Sequence, residues 1–413
     1  MTDIIKPDTA EQVREAVAWA TAEEAPLELV GAGSKRDYGR PIQTARTLDL
    51  SALSGITLYE PDELVLSARA GTPLAEVRQA LEAQNQQLAF EPPDLGALYG
   101  RPPGSGTLGG LIATNLAGPR RVMAGAARDY FLGFSGVSGR GETFKSGGRV
   151  MKNVTGYDLS KLLCGSFGTL AAMTEVTLKV LPAPEKTRTL LVLGLDDATA
   201  CAAMTRALGS SYEVSGAAYL PAAVAGESGV SYVEQAAGSV TALRVEGFGP
   251  SVEYRCEKLR ALLSDLGPSE ELHSHNSKAL WREIADLRPF VARPELAVWR
   301  VSVAPQAGPA VAEALLASLP EALYYGDWGG GLLWVGVPAQ GDAGAAQVRA
   351  ALRAPGDGAG GGHATLLRAS AELRAGLEVF QPMDAAKQAL VARIKDGFDP
   401  RRVLNPGRMY AGV

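Results

Sequence analysis

Two glycine-rich runs constrain this chain more than any other feature: VGAGSKRDYG at 30–39 and PPGSGTLGGLIATNLAG at 102–118. Glycine has no Cβ, so it reaches positive φ without steric cost and lets the backbone come close to a ligand. In the first run Gly31, Ala32, Gly33, Ser34, Lys35, Arg36 and Gly39 allow successive amide N–H groups to converge on an anion, with two basic side chains beside them. Taken alone, the run is explained equally well as a structural turn. The second run repeats the device with Gly104, Ser105, Thr107, Gly109, Gly110, Asn115 and Gly118, and it is too apolar for a solvated linker. Its small side chains would let an elongated molecule lie against the backbone while hydroxyls and an amide meet the polar edge. The pair favours a large phosphate-bearing cofactor over two unrelated tight turns.

Element order argues against a Rossmann fold. A helix over AEQVREAVAWATAE, capped by Thr9, precedes the strand LELVG at 27–31. A dinucleotide fingerprint needs its helix after the strand, whereas this chain runs on into DLSALSGITLYE with no helical period, and Arg36 stands where the third glycine belongs. A strand at 63–71 and an amphipathic helix at 73–88 follow, then a buried loop from Glu91 to Gly118. TEVTLKVLPAPEK at 174–186 reads as a strand entering a proline-rich domain boundary. From 187 to about 375, strands such as TRTLLVLGL, SVTALRVEGF, AVWRVSVAP and GLLWVGVP alternate with alanine-rich helices, which predicts an α+β domain with an open sheet. ELHSHNSK reads as a polar loop, and GDAGAAQVRAALRAPGDGAGGGH as a helix followed by a loop.

Composition removes several function classes. With 40 basic and 45 acidic side chains the net charge is -5, without the basic excess of a nucleic-acid binder. No run of about 18 apolar residues exists, and MTDIIKPDTAEQ lacks the features of a signal peptide. The expectation is a cytoplasmic protein that meets the inner membrane only through partners. Cys164, Cys201 and Cys256 are too few for a four-cysteine cluster and read as reduced thiols, and the three histidines have no zinc-site spacing. A metal that carries electrons onward would therefore lie on another chain.

GAGSK, GTLGG with ATN downstream, GGRVMKNVTGYDLSKLLCGSFGTLAAMTEVTLKVLP at 147–182 and DPRRVLNPGRMY at 399–410 resemble the vanillyl-alcohol-oxidase, or PCMH, type of FAD enzyme. VMKNVTGYDLSKLL, the GSK loop and GGGHATLLR are similar to the FAD-binding E subunits of bacterial glycolate oxidases. The resemblance implies an α+β fold: a PCMH-type FAD-binding domain over 1–185 with subdomains at about 1–60 and 61–185, then an α+β cap with a ferredoxin-like sheet over 186–375. Residues 376–413 would return to the FAD domain. On the same grounds Gly31 to Gly39 would cradle the pyrophosphate. Gly104, Ser105, Thr107, Gly109, Gly110, Asn115 and Gly118 would line a second flavin loop continued by Gly125, Arg128 and Asp129. Gly168 and Met173 would flank the adenine and ribose, and Asn405 would face the isoalloxazine. Relatives with covalent flavin carry a histidine in the pyrophosphate loop. Ser34 and Lys35 stand there instead, so the FAD should be non-covalent. Phe167 and Ala171 depart from the GSEGTLG pattern of relatives.

For catalysis, His363 either faces the flavin as a base or simply starts an apolar strand. Arg300, between apolar strand neighbours, calls for an anion: a substrate carboxylate or a structural ion pair. His273 and His275 read as surface residues, and Trp328 and Trp334 as pocket walls or core. The resemblance implies a subunit of a glycolate or 2-hydroxy-acid oxidase, with a sister FAD subunit and an iron–sulfur subunit as partners. Alternatives are a stand-alone FAD-dependent alcohol or sugar-lactone dehydrogenase and a non-catalytic flavin-binding assembly subunit.

Overall fold

The computed structural model describes residues 3–149, 156–353 and 361–413. Val150–Thr155 of the VMKNVTGYDLSKLL motif, and most of the loop ahead of His363, lie outside the described residues. The chain forms two compact units. Unit 1 comprises Met1–Leu116, Ala126–Ala183 and Pro382–Val413; unit 2 comprises Ala117–Gly125 and Pro184–Gln381.

In unit 1, β1 (Asp3–Ile5), β2 (Leu27–Val30) and β3 (Arg46–Asp49) make a parallel sheet with β3 in the middle. The helix Ala10–Ala22 starts where Thr9 accepts a hydrogen bond from the Gln12 amide. It buries Val13, Ala16, Val17 and Ala20, spaced for one helix face, against Leu27, Leu48, Val137 and Leu404. Full burial of a valine is worth roughly 1.5–3 kcal/mol, so this face fixes the helix on the sheet. β4 (Ile56–Glu60) and β5 (Val65–Arg69) begin a second sheet. The short β6 (Gln86–Gln87) stands outside it, and β7 (Phe131–Ser138), β8 (Thr143–Gly147) and β9 (Ala171–Lys179) complete it in the antiparallel order β4-β5-β9-β7-β8. β10 (Leu181–Pro182) pairs with β6.

Two expectations need correction here. The helix foreseen at 73–88 spans only Leu74–Glu82, because Asn85 turns into the left-handed region at φ 51° and leads into β6. The loop foreseen over 91–118 contains a helix, Leu108–Thr114, which Thr107 caps by accepting from the Gly110 amide at 3.3 Å and Asn115 ends at φ 47°. Its glycines have poor helix propensity, which hid it.

Unit 2 is one eight-stranded antiparallel sheet built twice over. β11 (Lys186–Leu193), β12 (Val214–Leu220), β13 (Val240–Gly247) and β14 (Ser269–Leu272) stand in the order β14-β11-β13-β12. The helices Asp197–Leu208 and Gly249–Leu262 follow β11 and β13, which gives a βαββαβ unit. β15 (Leu296–Ser302), β16 (Leu323–Asp327), β17 (Leu332–Pro338) and β18 (His363–Arg368) repeat the order as β18-β15-β17-β16, with helices Gly308–Ser318 and Ala345–Ala351 in the matching positions. The halves join where Tyr219 of β12 pairs with Gly326 of β16. Leu190, Val192, Ala203, Met204, Leu243, Val252 and Leu259 form the core of the first half.

ELHSHNSK is a loop in the sequence reading and a helix start in the structure: Ser274–Ala285 is helical, with Ser277 and Trp281 turned in to hydrogen-bond Thr189. His275 and Lys278 lie on the outer face of this amphipathic helix, whose apolar face is carried by Leu280, Trp281 and Ile284 beyond the segment. His273 and His275 are exposed at its first turn.

Candidate functional site

The glycine-rich runs meet in unit 1. Adjoining clefts are lined by Gly31, Ala32, Gly33, Ser34, Lys35 and Arg36 from the first run, Thr107, Gly109 and Gly110 from the second, Gly168 from the turn before β9, Met173 from β9 and Asn405 from the tail. The runs come closest where a Cβ on Gly31 would stand 2.3 Å from Thr107 Oγ1. Gly33 faces open space with φ 72°, where a side chain would project into the cleft against backbone preference.

The electrostatics of the cleft suit a phosphate. Lys35 Nζ lies 3.4 Å from Ser34 Oγ and near the position a Cβ would take on Gly106 or Gly110. Desolvation lowers its pKa to about 8, opposed in part by Asp94, and no carboxylate among the described residues lies within ion-pair distance of it. Ser105 Oγ is buried without a hydrogen-bond partner. A largely desolvated ammonium beside small-residue backbone is what a pyrophosphate would satisfy, whereas Ser105, whose Oγ stands 3.3 Å from the position a Cβ would take on Gly96, is not among the residues that line the clefts. Arg36 is committed differently: its guanidinium is paired with Glu28, which also accepts from Arg408 at 2.8 Å.

The C-terminal tail closes the cleft floor. Leu27 donates to Val403 O at 2.7 Å, and Asn405 accepts from the Leu29 amide at 2.8 Å while donating to Phe167 O at 2.7 Å. Lys395, fully buried, anchors this return by donating to Thr169 O, Asp399 Oδ2 and Leu404 O. Sequence reasoning missed Lys395, Glu28 and Arg408, although Arg408 stands in the quoted NPGRMY motif. Phe167, which departs from the pattern of relatives, meets Tyr38 edge-on at 4.9 Å between ring centroids, and both line the cleft.

Other expected cofactor residues lie elsewhere. Gly39 packs on Arg408, with a Cβ position only 2.8 Å from its Cδ. Gly104 donates to Asp94. Asn115 accepts from the Arg128 amide and from the Cys164 thiol, whose pKa burial pushes up to about 12. Asp129 accepts from the Ala126 amide. Gly118 and Gly125 belong to unit 2, where Gly118 O accepts from Trp328 Nε1 at 3.0 Å.

In unit 2, Arg300 of β15 and His363 of β18 lie on one face of the sheet, since His363 pairs with Ser302, two residues from Arg300. His363 is exposed at the start of β18, yet desolvation by its neighbours lowers its pKa, and the Arg300 and Arg121 guanidiniums lower it further, which favours a neutral imidazole able to accept a proton. Trp334 pairs with Arg300 across β17. A solvent-open groove of about 1300 Å³ runs between helices Asp197–Leu208 and Gly308–Ser318 and contains none of these residues.

Known proteins resemble the chain in sequence and in fold. A family described as FAD binding domain matches residues 2–147. The chain is 34% identical to the glycolate oxidase subunit GlcE of Escherichia coli, over 98% of each chain. It is 29% identical to the glycolate oxidase subunit GlcD of Bacillus subtilis, over 46% of this chain and 39% of that one. Among solved structures, p-cresol methylhydroxylase with bound substrate superposes with a TM-score of 0.71 at 14% identity, covering 99% of this chain and 88% of that one. This last likeness fixes the fold alone.

Proposed function

The chain belongs to the family of the glycolate oxidase subunit GlcE, and on that premise we propose that it is the FAD-binding subunit of a complex that oxidises glycolate or a similar small 2-hydroxy acid. It is an FAD-dependent oxidoreductase. What carries the reading is that one likeness runs through both units, over 98% of each chain, so that cradle and duplicated sheet come together.

Bound FAD supplies a hydride acceptor, and the protein supplies position and electrostatics. Gly31 to Lys35, Thr107, Gly109 and Gly110 would hold the pyrophosphate, with Lys35 matching its charge. With Ser34 and Lys35 in the loop the flavin is held non-covalently, so acid denaturation should leave it in solution rather than on the precipitate. Arg300 would orient the substrate carboxylate, and neutral His363 would take the hydroxyl proton at an imidazole nitrogen. The three cysteines are all buried and unpaired and cannot supply a four-cysteine cluster, which supports electron exit to an iron–sulfur subunit beside a sister FAD subunit.

A second reading, in which this chain relays electrons or stabilises a sister flavoprotein that does the oxidation, is favoured by the thin supply of histidines: of the three, only His363 stands beside the Arg300 and Arg121 guanidiniums. The deciding experiment is glycolate-dependent dye reduction by the co-expressed complex carrying His363→Ala. A loss of kcat of about 100-fold with flavin retained fits a general base. Unchanged turnover moves the substrate site to the sister subunit, and no turnover by the wild-type complex overturns the reading.

A further inference from the structure

The segment Ala117–Gly125 leaves the second glycine-rich run and lies in unit 2. Three contacts hold it. Arg120 makes hydrogen bonds of 2.9 and 2.7 Å to Glu246 of β13, Gly118 O accepts from Trp328 Nε1, and the Arg121 guanidinium lies 4.7 Å from the Trp328 ring centroid. Burial resists ionisation of Glu246, yet Arg244 and Arg120 hold its pKa down at about 2, so the anchor stays charged.

Trp328 is held in an uncommon conformation. Its φ is 53°, Gly329 and Gly330 after it are also positive, and Asp327 Oδ1 accepts its amide at 2.7 Å. A bulky residue stays in that region only where its surroundings over-determine it, and such strain gathers at ligand sites. The indole is thus a fixed shelf. The same ring holds a second guanidinium: Arg300 Cζ is 5.1 Å from its centroid. His363 stands on the sheet face that carries Arg300, and both arginines act on its imidazole.

Two guanidiniums held on one indole concentrate positive charge in a flat, partly desolvated place, and the guanidinium fork matches a carboxylate in geometry as well as charge. We infer that Arg121 and Arg300, braced against Trp328, form a two-point clamp for a small carboxylate with His363 at its edge. The inference rests on the reading of a 2-hydroxy-acid substrate and adds Arg121, which joins the site through a segment that chain order assigns to the glycine-rich run.

The test titrates glycolate, and separately inorganic phosphate, into the full FAD-loaded chain and follows the His363 imidazole resonances. Arg121→Gln and Arg300→Gln should each weaken glycolate binding by at least about tenfold, as expected for a charged hydrogen-bonding partner, with flavin content unchanged. Arg121→Lys keeps the charge but loses the fork, so it should also bind more weakly, and it serves as the test if the glutamine variant misfolds. Wild-type affinity in both Arg121 variants overturns the clamp, as does phosphate binding as tight as glycolate binding. If the complex fails to oxidise glycolate while the chain still binds it through Arg121, the clamp stands and the proposed function falls. If turnover is normal and KM is unchanged in Arg121→Gln, the clamp falls and the proposed function stands.

Discussion

Gly31 and Thr107 touch so closely that any side chain on the first would stand 2.3 Å from the hydroxyl of the second. Two segments far apart in sequence are thereby locked into one cradle. The same hydroxyl caps the helix Leu108–Thr114, so loop contact and helix start share an atom.

Gly31→Ala should therefore damage both stability and flavin binding. Overpacking of this kind costs about 1–3 kcal/mol, and the displaced Thr107 loses its cap. A denaturant midpoint below wild type, together with a flavin-to-protein ratio below wild type, is the expected result; an alanine variant with normal values on both would show that the contact is slack.

Lys35 makes the empty cradle sensitive to pH. Its folded pKa, about 8, lies below the ordinary lysine value, so charging it opposes folding. That penalty is fully present below pH 8 and fades as pH rises toward about 10.4, where the unfolded chain also loses its proton. Flavin-free protein should gain up to about 3 kcal/mol across that interval. FAD affinity should run the other way, falling as the ammonium deprotonates. Denaturation and FAD titrations from pH 7 to 10 check both slopes, and Lys35→Met should flatten both.

The sequence displayed some of this and concealed the rest for physical reasons. Thr9 announced its helix because a cap is local chemistry, and the glycine runs announced close backbone approach, which the structure shows where Gly31 meets Thr107. The duplication in unit 2 stayed hidden. All seven residues of VSGAAYL in β12 are buried, with no alternation to mark a strand, and LYYGD in β16 ends in the strained Asp327–Trp328 turn. Lys395 looked like one more solvated lysine on a helix, since its three acceptors come from Thr169, Asp399 and Leu404. Arg121 sat beside a run read for its glycines, and only the fold carries it to Trp328.

Lys395 and Asp399 are both fully buried, and Asp399 also accepts from the Val403 and Leu404 amides. Breaking such a pair strands a buried charge at a cost of about 3–5 kcal/mol. Lys395→Met should therefore lower the melting temperature, and it should also weaken FAD binding, because Asn405 follows directly on the tail that the pair fixes. Calorimetric melts of the flavin-free and flavin-loaded protein separate the effects. An unchanged gap between the two melts would mean that the tail does not shape the cleft.

The central claim is that the two glycine runs form the FAD cradle, and Gly33→Val tests it most directly because no neighbour crowds that position. Any loss there reflects strain at φ 72° and a side chain standing in the cleft, the former alone costing about 1–3 kcal/mol. Calorimetric titration of FAD into flavin-free wild type should saturate at one equivalent per chain, and the valine variant should bind at least about tenfold more weakly while its circular dichroism stays native. A Gly33→Val protein that takes up FAD with wild-type affinity and stoichiometry would contradict the account.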